Sequence, residues 1–74
     1  MSISERKKIN YTVACVNEFS KYYNMNQKDA FLYLFEFKGI QFLIEFYEVE
    51  HLLSFDNVIE DLTIICKNNG GDLS

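Results

Sequence analysis

Proline and tryptophan are absent from these 74 residues, and glycine occurs only three times, at positions 39, 70 and 71. Without proline nothing removes a backbone donor or fixes φ inside a segment, so the chain can run as helix between a few polar caps. The same scarcity excludes a glycine-rich phosphate loop, because the one adjacent pair, Gly70-Gly71, follows the last apolar stripe and does not open a helix. Cysteine is limited to Cys15 and Cys66, both inside helical patterns. Buried, reduced thiols acting as small hydrophobes are expected there, with a disulfide between them as the alternative. No apolar run approaches the ~20 residues of a membrane span. Nor does an apolar stretch of roughly 7–15 residues follow the N-terminal basic cluster, as a signal peptide requires. A soluble, cytoplasmic protein is the expectation.

Positive charge is also scarce in the second half. Residues 1–37 nearly balance Arg6, Lys7, Lys8, Lys21 and Lys28 against Glu5, Glu18, Asp29 and Glu36. Beyond them only Lys38 and Lys67 face Glu45, Glu48, Glu50, Asp56, Glu60, Asp61 and Asp72, which accounts for the formal charge of −4. An acidic half of this kind repels phosphate backbones and suits a basic protein partner better.

What is abundant is apolar and aromatic surface. Hydrophobic residues make up 49% of the chain, including seven Phe and five Tyr. Their spacing predicts an all-α fold, a compact bundle of three to four short helices in one domain. Ser2 followed by Glu5 has capping-box form, and Ile9, Val13, Val16, Phe19 or Ser20, and Tyr23 recur at spacings of three and four, predicting a helix over 4–23. Asn24 suits its left-handed end. Asn26 caps a second helix over 27–38, with Ala30, Phe31, Leu34, Phe35 and Phe37 apolar and Gly39 as its stop. A third helix over 40–53 carries Ile40, Leu43, Ile44, Tyr47 and Leu52. After the break at Ser54, Phe55, Val58, Ile59, Leu62, Ile65 and Cys66 form a fourth over 55–69, ending at Gly70 with a frayed tail behind it. The alternation Leu32-Tyr33-Leu34-Phe35-Glu36-Phe37 offers a competing strand between residues 31 and 47.

Little of this carries catalytic chemistry. His51 is the sole histidine, and Glu48-x-x-His51 has the spacing of half a carboxylate-bridged metal site, with Glu45 one turn earlier. One copy without further ligands is ordinarily a solvated helix face, so no cofactor is expected. A Cys-His pair would need a reactive thiolate, and cysteines buried among aliphatic neighbours are inert. The chain is therefore expected not to be an enzyme. The segments flanking Gly39 outline a helix-turn-helix, but residues 39–54 carry three glutamates and no Lys or Arg, the reverse of what a recognition helix requires. Nucleic acid is accordingly not the expected partner. A small regulator binding a metal ion or nucleic acid stands as the alternative.

One face per helix cannot hide twelve aromatic rings, and below roughly 70–80 residues a lone core supplies only about 3–5 kcal/mol. Tyr11, Tyr22, Tyr33 and Phe42 fall off the assigned stripes, and aromatic anchors are enriched at interfaces. Self-association or a protein complex is expected, through a surface on the second and third helices comprising Phe35, Phe42, Phe46, Tyr47, Val49 and His51.

Several runs carry a resemblance over nearly the whole chain. They are N-x-x-x-A-F from Asn26 to Phe31, Gly39, L-I-x-x-Y-x-x-x-H from Leu43 to His51, and V-x-E-D-L from Val58 to Leu62. In these the chain resembles a family of short bacterial proteins of unknown function, about seventy residues long. Members of that family are often encoded beside a small toxin-like or ADP-ribosyltransferase-like protein. The resemblance implies an antitoxin-like or accessory role and supplies no catalytic residues. If Tyr47 and His51 belong to its motif, a buried hydrogen bond tying the third helix to the fourth would explain them.

Overall fold

A computed structural model describes residues 2–73, and all regular structure in them is helical: α1 Ile3–Tyr22, α2 Gln27–Glu36, α3 Gly39–Glu45, α4 Tyr47–Glu50 and α5 Phe55–Asn68. The competing strand over 31–47 is thereby excluded.

Each long helix starts on a side-chain cap. Ser2 Oγ accepts the Glu5 N–H at 3.1 Å, Asn26 Oδ1 the Asp29 N–H at 2.7 Å, and Ser54 Oγ the Asn57 N–H at 3.3 Å. Every such bond satisfies one of the donors left open at a helix N-terminus. The ends are equally local. Asn24 takes φ 54°, and beyond it Met25 N–H reaches back to Ser20 O at 2.8 Å. Gly70 takes φ 100°, and Gly71 N–H reaches Cys66 O at 2.8 Å. Both are Schellman closures built on a left-handed residue.

The second helix ends differently from its sequence expectation. The left-handed residue is Lys38, at φ 73°, while Gly39 is the first residue of α3. Gly39 is needed for space: an added Cβ would lie 2.8 Å from Leu34 Cδ2 and 3.2 Å from Cys66 Sγ. The single third helix is also corrected, because the chain breaks at Phe46 (φ −107°, ψ 24°) into α3 and the four-residue α4. Phe46 N–H still reaches Phe42 O at 2.9 Å, and Phe46 O receives Val49 and Glu50 N–H at 3.1 and 2.9 Å. The kink therefore sacrifices little backbone bonding, in a run of aromatic and β-branched residues with weak helix preference. Residues 51–53 close as tight turns, Leu53 N–H to Glu50 O at 3.0 Å.

The core gathers Cys15, Val16 and Phe19 from α1, Ala30 and Leu34 from α2, Leu43 from α3, and Val58, Ile59, Leu62 and Cys66 from α5. Both cysteines are buried and free. On α1 the inward line is Thr12, Cys15, Val16, Phe19, Ser20, so Ile9 and Val13 are exposed, contrary to their expected place on the stripe. Two hydroxyls on that line are satisfied locally, Thr12 donating to Lys8 O at 2.8 Å and Ser20 to Asn17 O at 2.6 Å. The tail beyond Gly70 is not frayed as far as Leu73. Gly71 is buried, Leu73 packs on the core, and a Cβ at Gly71 would collide with the Tyr33 hydroxyl and lie 2.9 Å from Cys66 O. The radius of gyration, 11.4 Å, is what a compact chain of this length should have, about 11 Å. No helix therefore stands away from the body.

One long-range hydrogen bond pins α5 to the end of α1. Tyr23 Oη and Thr63 Oγ1 are 2.6 Å apart, and Thr63 spends its only proton on Ile59 O at 2.8 Å, so Tyr23 is the donor. Tyr23→Phe is expected to lower stability by about 1 kcal/mol, the usual net value of such a bond. A urea midpoint equal to that of the parent protein would show that water replaces it.

Candidate interaction surface

The six residues expected to form one surface fall into two ring pairs and two single residues. Phe42 and Phe46 pair on successive turns with ring centroids 5.2 Å apart, over a shallow hollow shared with Ile65. Tyr47 and His51 stack at 4.5 Å and 8° between planes, and His51 Nδ1 lies 2.6 Å from Tyr47 O. That bond lies within one exposed turn, so it does not tie the third helix to the fourth as the sequence suggested. Val49 points outward from α4. Phe35, 66% exposed, lies in a neighbouring groove that shares Lys38, Gln41 and Glu45 with the Phe42–Phe46 hollow.

Around Phe35 lies the more extensive apolar concavity. A groove of about 600 Å³ is lined by Phe35, Lys38, Ile40, Gln41, Ile44 and Glu45. Ile44, 44% exposed, also lines an adjoining groove with Glu5, Lys8 and Ile9. The two share Ile44, so an apolar band runs from Phe35 on α2 across α3 to Ile9 on α1, rimmed by charges of both signs. Sequence reasoning placed Ile9 and Ile44 in the core and so missed them as surface. The signal was present in α1, where a second line of apolar residues at the same spacing competes with the first. On α2, Phe31 and Phe35 stack one turn apart with centroids at 6.0 Å and remain exposed, leaving Ala30 and Leu34 to face inward.

Another concavity, of about 620 Å³, lies between the end of α1 and α5, lined by Tyr22, Tyr23, Asp56, Ile59, Glu60, Thr63 and Ile64. Its acidic residues, one turn apart on α5, give it a mixed polar character unlike that of the Phe35 groove.

A second feature was missed in the sequence. Glu50 is only 5% exposed, and its Oε1 is buried with no hydrogen-bond partner. Burial, and then the neighbouring Asp61, push its carboxyl up to about 7. The Tyr11 hydroxyl, likewise buried and unpartnered, is pushed well above the usual phenol range, first by burial and then by Cys15 and Glu50. Burial raises the Cys15 thiol to about 11, against a lowering contact with Tyr11, and the Cys66 thiol to about 11, against a lowering contact with the Gly39 backbone. Neither thiol has the low pKa that a nucleophile requires. Among the described residues no three His, Cys, Asp or Glu side chains are placed to hold a metal ion, so no other helix completes the Glu48–His51 spacing. No described helix is long and apolar enough to cross a membrane.

Comparison with curated proteins and with solved structures gives no match. Residues 10–69 match the family described as protein of unknown function (DUF3791), and the chain belongs to it. The matched segment runs from the first half of α1 to the end of α5, so it takes in all the residues of the core.

Proposed function

We propose that this member of the family is a non-catalytic, cytoplasmic protein-interaction module that docks a partner protein on the band from Phe35 through Ile44 to Ile9. The observation that carries the proposal is the continuity of that band across three helices of a domain whose core is already closed without it. Contiguous apolar concavities rimmed by polar residues are where protein partners bind. The mixed rim of Lys38, Glu45, Glu5 and Lys8 provides selectivity, since like charges set opposite one another reject a wrong partner. A second copy of the chain is the alternative occupant, giving a homodimer. The antitoxin-like or accessory role draws on the resemblance to short bacterial proteins encoded beside toxin-like neighbours, and the excess of acid in the second half favours a basic partner.

Coexpression with the product of the adjacent gene tests the proposal, with Ile44→Asp as the disrupting variant. Retention of the neighbour by the parent protein and its loss with Ile44→Asp is the expected result. Sedimentation equilibrium at micromolar concentration distinguishes the occupants, because a homodimer gives twice the monomer mass and the aspartate variant returns it to one. A monomeric parent protein that retains nothing would overturn the docking function.

A further inference from the structure

We propose that α4 is a proton-controlled latch, closed over the core while the Glu50 carboxyl is neutral and released when it ionises. The proposal goes beyond the docking function and stands whether or not the Phe35 groove binds a partner.

Its basis is a conflict within the fold. Glu50 sits at the end of a four-residue helix that begins without a side-chain cap and is bounded by breaks at Phe46 and His51. Such an element is held by its packing, because one helical turn has no stability of its own. Yet the side chain it inserts is a carboxyl, 5% exposed, with one oxygen facing no donor. A buried charge without a partner is costly, whereas the neutral acid is tolerated. The groups acting on this pocket are Tyr11 and Cys15 from α1, Asp61 from α5, and Tyr47 from α4 itself, with Glu18 reaching Cys15 from outside. Among the described residues the one recorded ion pair, Lys21 with Glu18, lies outside this set, so no cation compensates Glu50. Asp61 adds to the preference for the neutral form, because a second negative charge beside it is repelled.

Proton linkage fixes the direction. When α4 opens, Glu50 regains water and titrates as an ordinary carboxyl near 4.5, against about 7 when closed. The closed form is therefore fully favoured below about 4.5, and its advantage is lost as pH rises through 7. Between those values the opening constant rises about tenfold per pH unit, roughly 300-fold in all, and then levels. Mild acid holds α4 down, and neutrality loosens it. Phe46 and Val49, which α4 and its leading turn present to solvent, move with it.

Amide hydrogen exchange of residues 47–53 in the full chain, corrected for intrinsic rates, tests the latch between pH 5 and 8. The expected result is a tenfold-per-unit rise up to about pH 7 and levelling above it in the parent protein, with a flat opening constant in Glu50→Gln, which keeps the shape and cannot ionise. Equal pH dependence in the two proteins would overturn the latch. Should the glutamine variant fail to fold, carbon-13 titration of Glu50 in the parent protein decides. A midpoint near 7 supports the latch, and one in the usual carboxylate range ends it.

Discussion

Phe19→Ala is expected to remove most of the stability of this protein and to erase the native baseline in a urea titration followed by helical circular dichroism. Phe19 is fully buried at the meeting of α1, α2 and α5, with its ring 4.8 Å from that of Tyr23 and 6.0 Å from that of Tyr33. Truncating such a phenylalanine costs about 3–5 kcal/mol. A lone core in a chain of this length has only about 3–5 kcal/mol to lose. Val13→Ala provides the contrast. Val13 lies on the helical line first assigned to the core, yet it is 62% exposed, and its truncation should cost less than about 0.5 kcal/mol. Similar losses from the two variants would mean that α1 is rotated from the orientation described.

The second large effect sets adjacent residues against each other. Gly39→Ala introduces a Cβ 2.8 Å from Leu34 Cδ2, 3.2 Å from Cys66 Sγ and 3.3 Å from Leu34 Cβ, and both neighbours are fully buried. Overpacking of this kind costs about 1–3 kcal/mol. Alanine's better helix preference, worth up to ~1 kcal/mol, offsets part of that. A net loss of about 1–2 kcal/mol is expected from those terms. Lys38→Gly should do the opposite. Its backbone at φ 73° costs an L-residue roughly 1–2 kcal/mol, and glycine removes that strain at the expense of a freer unfolded chain. A gain of about 0.5–1 kcal/mol follows. Denaturation midpoints moving in opposite directions confirm that Lys38 is the turn and Gly39 the packing contact. The reverse signs would restore Gly39 to the role of helix terminator.

Gly39 shows where sequence reasoning succeeded and where it stopped. A lone glycine between two apolar runs marks a boundary, and a boundary is there. Whether it serves conformation or space depends on what approaches it, and Cys66 approaches from a helix 27 residues away in sequence. Glu50 is the same case in polar form. Its spacing from Leu43 and Tyr47, seven and three residues, puts it on their line, and that was the available signal. A glutamate is nonetheless normally at the wet edge of a helix, and only the side chains brought beside it, Tyr11 and Cys15 of α1 and Asp61 of α5, make this one interior. Of the six residues expected to share a surface, Phe35 lines a groove that adjoins the Phe42–Phe46 hollow, while Val49 is exposed on α4, beyond the kink at Phe46.

The sequence by itself determined the helical class, the capped starts at Ser2, Asn26 and Ser54, and the left-handed ends at Asn24 and Gly70. Each of these depends on contacts within about one helical turn, where neighbouring residues settle the energetics. The choice between two apolar lines on α1, the space required at Gly39 and Gly71, and the burial of Glu50 belonged to the tertiary structure. Those depend on which helices meet, and a surplus of apolar side chains leaves several meetings open. Only close packing against distant residues decides among them.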